Sequence, residues 1–255
     1  MSGGGRPLYN GPGRYGMTRV LGRGGAVLFA ALAAALPASG RPDDGFRKDR
    51  EAMVRDQIVA RGVRDARVIE AMLRVPRHLF VPEASRSRAY GDHPLPIGRG
   101  QTISQPFIVA FMTESLALEP GDKVLEVGTG SGYQAAVLAC LADKVFSVEI
   151  DETLAREAAG KLRELGYGAV RVRRGDGFFG WPEEAPFDAV IVTASPNRIP
   201  PLLLEQLAEG GRLIIPVEKG PLSQTLTLVT KKKGKVVVRE LLDVLFVPMT
   251  GEVQR

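Results

Sequence analysis

Cysteine, histidine and tryptophan are scarce in this sequence of 255 residues, which has one cysteine, two histidines and one tryptophan. A single cysteine excludes an internal disulfide framework, and so few sulfur and imidazole ligands argue against a structural zinc site. We therefore expect no metal. Cys140 lies in the apolar stretch Ala135–Leu141, so we expect a packed thiol rather than a nucleophile.

Long apolar runs are also lacking. The run Ala26–Leu36 has 11 residues, too few to cross a bilayer as a helix, so we predict no membrane span. Arginines precede it and the small residues of Pro37–Gly40 follow it, which is the layout of a secretory signal. A disordered extension, or a misassigned start with Met53 as the true beginning, is the alternative. In either case we expect residues 1–45 to be a leader and residues 46–255 to be a single domain.

Excess charge is lacking outside that leader. The formal net charge is +5, but residues 1–40 contain four arginines and no acidic residue, so the rest of the chain carries only +1. A nearly neutral body offers no broad basic surface for a polyanion. We therefore predict no nucleic-acid partner.

The pattern of apolar residues changes at Gly121. Before it, the spacing predicts helices near residues 46–58, over 68–73 and at Phe107–Leu118, with a polar loop at Tyr90–Gln105. After it, strands and helices alternate, and two β-rich runs, Gln224–Thr230 and Lys235–Phe246, predict a C-terminal hairpin. The fold class predicted is α/β, a Rossmann-like, doubly wound and mostly parallel sheet with N-terminal helices and a C-terminal β-hairpin.

A glycine-rich loop, Glu126-Val127-Gly128-Thr129-Gly130-Ser131-Gly132, joins the first of these strands to its helix. Gly128, Gly130 and Gly132 let the backbone approach a ligand because no Cβ intervenes. Glu149 ends the second strand, where a carboxylate can accept both ribose hydroxyls of an adenosine ligand. The loop and the acid together predict a nucleoside ligand.

The loop spacing distinguishes between nucleosides. A dinucleotide fingerprint reads G-x-G-x-x-G, whereas here the third glycine comes one residue early and Tyr133 stands where glycine or alanine is needed. Glu126 at the strand end would repel a pyrophosphate but could pair with the ammonium of an amino-acid moiety. The sequence therefore favours S-adenosyl-L-methionine over NAD.

A third candidate element follows the third strand of the alternating region. In Gly175-Asp176-Gly177, the Asp176 carboxylate can reach an adenine amino group, and backbone amides near Gly177 can contact the ring. Such a tripeptide is often only a turn. Its place after the loop and Glu149 favours a binding role.

Several stretches of the chain resemble one family, the protein-L-isoaspartate O-methyltransferases. The resemblance covers about Met53 to Thr250, and the stretch Leu95–Pro106 is more specific than the loop, which many methyltransferases share. The matching stretches are VPRHLFVPE (Val75–Glu83), LPIGRGQTISQP (Leu95–Pro106), VLEVGTGSGYQ (Val124–Gln134), GDG (Gly175–Gly177), FDAVIVTA (Phe187–Ala194) and FVPMT (Phe246–Thr250).

The resemblance implies methyl transfer from S-adenosyl-L-methionine to the free carboxylate of isoaspartyl residues in damaged proteins and peptides. It implies that Ser104 is the active-site residue, that Thr102 and Ile103 lie beside cofactor and substrate, and that Thr250 returns to the same pocket. Some family members have a histidine facing the cofactor where this chain has Val109. A carboxylate acceptor is already ionised at neutral pH, so a general base is not required there.

Two other functions stay open at this point. A methyltransferase acting on RNA or a small molecule would predict a basic face or another acceptor motif, and a non-enzymatic module would tolerate loss of the loop glycines and acids. We expect a monomer, although the sequence contains no signal for the oligomeric state. We expect the protein to work in the cytoplasm, because S-adenosyl-L-methionine is made and held there. The periplasm is the alternative if the leader is a working signal.

Overall fold

The computed structural model describes residues 45–220 and 223–254. The predicted leader, except for Gly45, lies outside the described residues, so its role stays a prediction. Among the described residues, no helix has the length and apolarity needed to cross a membrane. The same residues contain no cluster of three or more histidine, cysteine or acidic side chains placed to hold a metal ion.

A seven-stranded sheet forms the centre of the fold, with the strand order β5-β4-β3-β6-β7-β8-β9. Neighbours from β5 to β7 are parallel, and β8 and β9 add antiparallel to β7 as a hairpin. The chain runs outward through β3, β4 and β5 and then returns to the other side of β3 with β6. The strands are β3 (Lys123–Val127), β4 (Lys144–Glu149), β5 (Arg171–Arg174), β6 (Phe187–Val192), β7 (Leu207–Gly220), β8 (Ser223–Lys232) and β9 (Lys235–Val244).

Apolar side chains cover both faces of this sheet, as parallel strands require. In β3, Val124 belongs to one buried cluster and Leu125 to the other, because successive side chains point to opposite faces. The doubly wound prediction is confirmed. The helices are α1 (Arg47–Ala52), α2 (Ala66–Arg74), α3 (Pro106–Leu116), α4 (Tyr133–Leu138), α5 (Glu152–Glu164) and α6 (Pro201–Glu205).

The N-terminal helices form where apolar spacing predicts them, with local differences. Met53–Val59 forms a wider π-helical turn, and Asp65 begins α2 by accepting the N–H of Arg67 at 2.8 Å. Helix α3 ends at Leu116, before the predicted Leu118, because Ala117 takes a left-handed conformation with φ of 45°.

The structure differs from the predicted elements more strongly at two places. The stretch Tyr90–Gln105 contains a two-stranded antiparallel hairpin, β1 (Leu95–Gly98) and β2 (Gln101–Ile103), where the sequence predicted only loop. The apolar pattern predicts a strand only at Arg212–Val217, whereas β7 begins at Leu207, and its pairing with β6 shifts register between Phe187 and Ala189. The alternation of apolar and polar residues along a strand does not reveal such a bulge, because a bulge interrupts that alternation.

Cys140 lies partly buried near the end of α4, with Sγ 3.4 Å from the carbonyl oxygen of Ala136. Burial raises the pKa of this thiol, so the reactive thiolate is disfavoured. This position suits the expected packed thiol.

Candidate active site

One pocket opens at the carboxyl edge of β3, β4 and β6, the point where the strand order reverses. Ligands of open α/β sheets bind at this switch point. The pocket and its open mouth together have about 800 Å³ of free space. Its lining comes from the β1–β2 hairpin with α3, the glycine loop, the end of β4, the end of β6 and the C-terminal segment 247–250.

The glycine loop takes left-handed backbone angles at Gly128, Gly130 and Gly132, with φ of 96°, 52° and 86°. A Cβ on Gly128 would lie 2.4 Å from Thr193 Oγ1, and that hydroxyl donates to the Gly128 carbonyl at 2.7 Å. Gly132 is the N-cap of α4, and a Cβ there would press on Leu162 at 3.2 Å. The glycines are therefore needed for conformation and for close packing.

Glu149 is 6% exposed, and both of its carboxylate oxygens are fixed by backbone amides. Oε2 accepts the N–H of Gly130 at 2.8 Å, and Oε1 accepts the N–H of Asp151 at 3.0 Å. Each oxygen keeps further acceptor capacity. The carboxylate is thus held rigidly at the pocket with room to accept two hydroxyls.

Glu126 lies behind the loop rather than in the pocket. It is fully buried on β3, and Ser147 Oγ donates to its Oε2. Ser147 Oγ in turn lies 2.5 Å from Thr129 Oγ1, whose residue lines the pocket. Burial is the main cause that raises the pKa of Glu126 to about 8, so the carboxyl is largely neutral at pH 7. The predicted contact with a ligand ammonium therefore lacks support from the geometry.

The β1–β2 hairpin lies over the glycine loop. Thr102 pairs with Pro96 across the hairpin, and Ile103 pairs with Leu95, so β2 is held with its residues along the pocket. Ser104 follows directly and also lines the pocket. Val109, on the next helix, is 2% exposed and gives this wall an apolar surface.

The C-terminal segment reaches the pocket by pairing with the end of β6. The N–H of Ser195 donates to the Val247 carbonyl at 2.8 Å, and the N–H of Met249 donates to the Ser195 carbonyl at 2.8 Å. This pairing brings Thr250 to the pocket wall. Asp176 secures the chain just beyond, because its Oδ2 accepts the N–H of Glu252 at 2.7 Å.

A family model for the protein-L-isoaspartate(D-aspartate) O-methyltransferases matches residues 48–254. The chain belongs to this family. A protein-L-isoaspartate O-methyltransferase of Opitutus terrae is 56% identical over 204 residues, covering 80% of this chain and 88% of that protein. One from a Synechococcus species is 55% identical over 212 residues, covering 81% of this chain and 87% of that protein.

Solved structures of the family share the fold. A protein-L-isoaspartate O-methyltransferase superposes with a TM-score of 0.73 at 32% identity, covering 80% of this chain and 67% of the other. A Plasmodium falciparum beta-aspartate methyltransferase in complex with S-adenosyl-L-homocysteine superposes with a TM-score of 0.69 at 29% identity, covering 80% of this chain and 97% of the other. The Rossmann-like methyltransferase fold follows from both likenesses.

The structure brings most of the residues proposed from sequence to one pocket, and three others are not part of its lining. Glu126 is buried as described, Gly132 caps α4, and Asp176 accepts backbone amides at the end of β5 while its neighbour Gly177 faces the pocket. The residues in the lining are Thr102, Ile103, Ser104, Gly128, Gly130, Glu149, Gly177 and Thr250.

Several lining residues were not predicted from sequence, and Thr193 and Ile150 are two of them. Thr193 lines the pocket and fixes the loop at Gly128, and Ile150 follows Glu149 along its wall. Thr193 directly follows β6, so the rule that parallel strands end at one edge could have identified it. Nothing in the local pattern signals Ile150, whose exposure depends on how the chain leaves β4.

A buried arginine supports the pocket floor. Arg77 is fully buried, donates from Nε to the Ala89 carbonyl at 2.7 Å, and lies with its guanidinium carbon 5.0 Å from the centroid of the Tyr133 ring. Burial lowers the pKa of Arg77 to about 10, so the guanidinium stays charged at neutral pH. Tyr133 lines the pocket immediately after Gly132, so this contact braces the loop from below.

Proposed function

We infer that this protein transfers the methyl group of S-adenosyl-L-methionine to the free carboxylate of L-isoaspartyl residues in damaged proteins and peptides, and so initiates their repair. The observation that carries this inference is the meeting of two elements in one pocket. Glu149, fixed by backbone amides, lines the same pocket as the family stretch Thr102-Ile103-Ser104.

The described lining fits S-adenosyl-L-methionine better than a dinucleotide. It contains one carboxylate, Glu149, and within the described residues it contains no lysine or arginine to neutralise a pyrophosphate. A ligand that joins a nucleoside to an amino acid needs no such cation. The Glu126 carboxyl is fully buried, so the preference for S-adenosyl-L-methionine depends on this lining and not on a contact with Glu126.

The chain has little acid–base chemistry to perform. When bound, S-adenosyl-L-methionine supplies an electrophilic sulfonium methyl. The acceptor carboxylate is already ionised, so the protein's task is to align the reactants and exclude water. Val109 in the pocket wall is consistent with this, because valine has no titratable group and stands where some relatives have histidine. Ser104 would orient the acceptor through its hydroxyl.

We propose the following assignment for the site. Ser104 is the catalytic residue, Thr102, Ile103 and Thr250 border both ligands, and Glu149 accepts the ribose hydroxyls. Asp176 and Gly177 flank the adenine, and Glu126 supports the glycine loop from behind through Ser147 and Thr129. The loop glycines that admit the donor are Gly128, Gly130 and Gly132.

A labelling experiment tests this function. The protein is incubated with S-adenosyl-L-methionine carrying a labelled methyl, together with an isoaspartyl peptide, its normal aspartyl twin, or RNA. Base-labile label on the isoaspartyl peptide alone is expected. Label on RNA, or on neither peptide, would overturn the proposal.

We further propose that the protein acts as a monomer in the cytoplasm without binding nucleic acid. The supply of the methyl donor supports the compartment, and the charge of only +1 outside residues 1–40 supports the absence of a nucleic-acid partner. Mass spectrometry of the mature N-terminus in cell fractions checks the compartment. A chain cut near residue 40 and recovered from the periplasm would contradict it.

A further inference from the structure

The tip of the β1–β2 hairpin has unusual backbone geometry. Gly98, Arg99 and Gly100 all have positive φ, of 93°, 52° and 72°. Positive φ is free for glycine but costs energy for a residue with a side chain, so a non-glycine residue keeps it only where its surroundings fix it. Arg99 therefore needs a compensating contact.

That contact is an ion pair to Asp151, the N-cap residue of α5. Arg99 Nε donates to Asp151 Oδ2, joining the hairpin to the start of α5, 52 residues away in sequence. The Arg99 side chain is 53% exposed, whereas that of Asp151 is 22% exposed. One partner of the pair is thus substantially withdrawn from water, which reduces screening compared with a fully exposed pair.

Asp151 is itself rigidly held and adjoins the ribose-binding acid. Its Oδ1 caps α5 by accepting the N–H groups of Thr153 and Leu154 at 2.9 and 3.0 Å. Its own N–H donates to Glu149 Oε1 at 3.0 Å. The ion pair therefore attaches the hairpin to the fixed network that holds Glu149.

The hairpin covers the loop at the same place. The Ile97 Cδ1 atom lies 3.3 Å from the position that a Cβ on Gly130 would take. The following strand, β2, carries Thr102 and Ile103 along the pocket wall. A ligand lying between the glycine loop and β2 would be enclosed from above by this hairpin.

We propose that the Arg99–Asp151 ion pair is a latch that holds the β1–β2 hairpin over the bound methyl donor, which makes Arg99 a positioning residue. This rests on the proposed function only in taking the donor to be S-adenosyl-L-methionine. The latch slows release of the donor and of its product. It makes no contact with the acceptor peptide.

The test measures binding and release of S-adenosyl-L-homocysteine by the full chain, using Arg99→Gln, Asp151→Asn and the double variant. Asparagine at 151 keeps the helix cap, because its side-chain oxygen still accepts the two amides. Each single variant is expected to raise the dissociation rate and the Kd about two- to fivefold. The double variant should be no worse than the stronger single change.

Further measurements separate a latch from general damage. Arg99→Lys should restore most of the affinity for S-adenosyl-L-homocysteine. KM for the peptide should stay within about twofold of wild type in the Arg99 and Asp151 variants. The difference in affinity between wild type and Arg99→Gln should become smaller at high salt. Arg174→Gln is the matched control, because it breaks the exposed Arg174–Glu152 pair, 3.3 Å long, at the same helix end. It should leave S-adenosyl-L-homocysteine binding unchanged.

Unchanged release from Arg99→Gln, or additive losses in the double variant, would overturn the latch. An equal loss of S-adenosyl-L-homocysteine affinity in Arg174→Gln would overturn it too, because removing any nearby positive charge would then have the same effect. These outcomes are distinct from a failure of the proposed function. Wild-type protein that binds S-adenosyl-L-homocysteine but leaves isoaspartyl peptide unmethylated would contradict the function alone.

Discussion

Individual carboxyl groups in this protein have opposite roles that depend on their surroundings. Glu149 ends β4 with both oxygens held by backbone amides at the pocket, while Glu126 ends its strand inside the sheet against Ser147. Both stand near strand ends, so the sequence predicts a ligand contact for each. Only the packing of the loop over Glu126 separates them.

Replacing Glu126 with glutamine should barely change ligand affinity. The carboxyl is largely neutral at pH 7 and glutamine has the same shape, so Kd for S-adenosyl-L-homocysteine is expected to stay within about threefold. Isothermal titration calorimetry at pH 7 measures this. A loss of about thirtyfold or more would instead indicate that a charged Glu126 pairs with the ligand ammonium.

The same substitution should alter how stability depends on pH. The folded-state pKa of Glu126, about 8, lies above its ordinary value of 4.5, so the folded protein retains a proton that the unfolded chain releases. The contribution of Glu126 to the free energy of unfolding is fully present below pH 4.5. It is lost as the pH rises through 8, by up to about 1.4 kcal/mol per pH unit. Urea unfolding across this range should show a flatter profile for Glu126→Gln. An unchanged profile would show that Glu126 is ionised in the fold.

Glu149→Gln should weaken binding strongly. Glutamine presents an NH₂ group to one of the two amides that now hold the carboxylate, and it removes the charge that strengthens hydrogen bonds to ribose. Kd for S-adenosyl-L-homocysteine is expected to rise about ten- to hundredfold. Glu152→Gln, an exposed neighbour, is the control and should bind like wild type. Equal affinity of Glu149→Gln and wild type would remove Glu149 from the site.

Ser104→Ala tests the orienting hydroxyl. Loss of one neutral hydrogen bond in the transition state should lower kcat about three- to tenfold and leave KM for the methyl donor within about twofold. Ser115→Ala removes a hydroxyl that contacts only its own helix, at the Phe111 carbonyl 2.7 Å away, and should keep full activity. Full turnover by Ser104→Ala would end its proposed role.

Among the structural elements, the parallel strands and α5 were the most predictable from sequence. Continuous apolar runs such as Phe187–Val192 predict buried strands, and Asp151 with acidic Glu152 predicts the start of a helix. The β1–β2 hairpin was missed because its strands have only four and three residues and include Pro96, and because three consecutive residues at its tip have positive φ. Its pairing depends on contacts with the glycine loop and α5, which a local pattern does not contain.

The segment that follows β5 lies close enough to the end of β3 to be tested by glycine replacement. A Cβ on Gly177 would lie 2.2 Å from Val127 Cγ1, so Gly177→Ala should lower the free energy of unfolding by about 1–3 kcal/mol. Adding Val127→Ala should recover part of this, because it removes the clashing methyl. Gly160→Ala in α5 meets no atom within 4 Å and should stabilise by about 0.5–1 kcal/mol. If Gly177→Ala and Val127→Ala instead lowered the free energy of unfolding additively, as measured by urea unfolding, the clash would be contradicted.

For the molecule as a whole, the fold and the donor class follow from patterns along the chain, whereas the acceptor does not. Alternating strands and helices with a G-x-G-x-G loop identify a nucleoside-binding sheet. The specific stretch Thr102-Ile103-Ser104 adds the acceptor, through its likeness to one family, and the structure places that stretch against the same pocket. No periodicity or charge pattern in the sequence encodes an isoaspartyl substrate.

The most direct test of the central claim is the ratio of kcat/KM for an isoaspartyl peptide to that for the same peptide with normal aspartate. Both are measured with S-adenosyl-L-methionine as donor, and mass spectrometry locates the methyl ester. The function inferred for this pocket predicts methylation of the isoaspartyl carboxylate with no measurable ester on the aspartyl twin. Equal rates on the two peptides, or no ester on either, would contradict it.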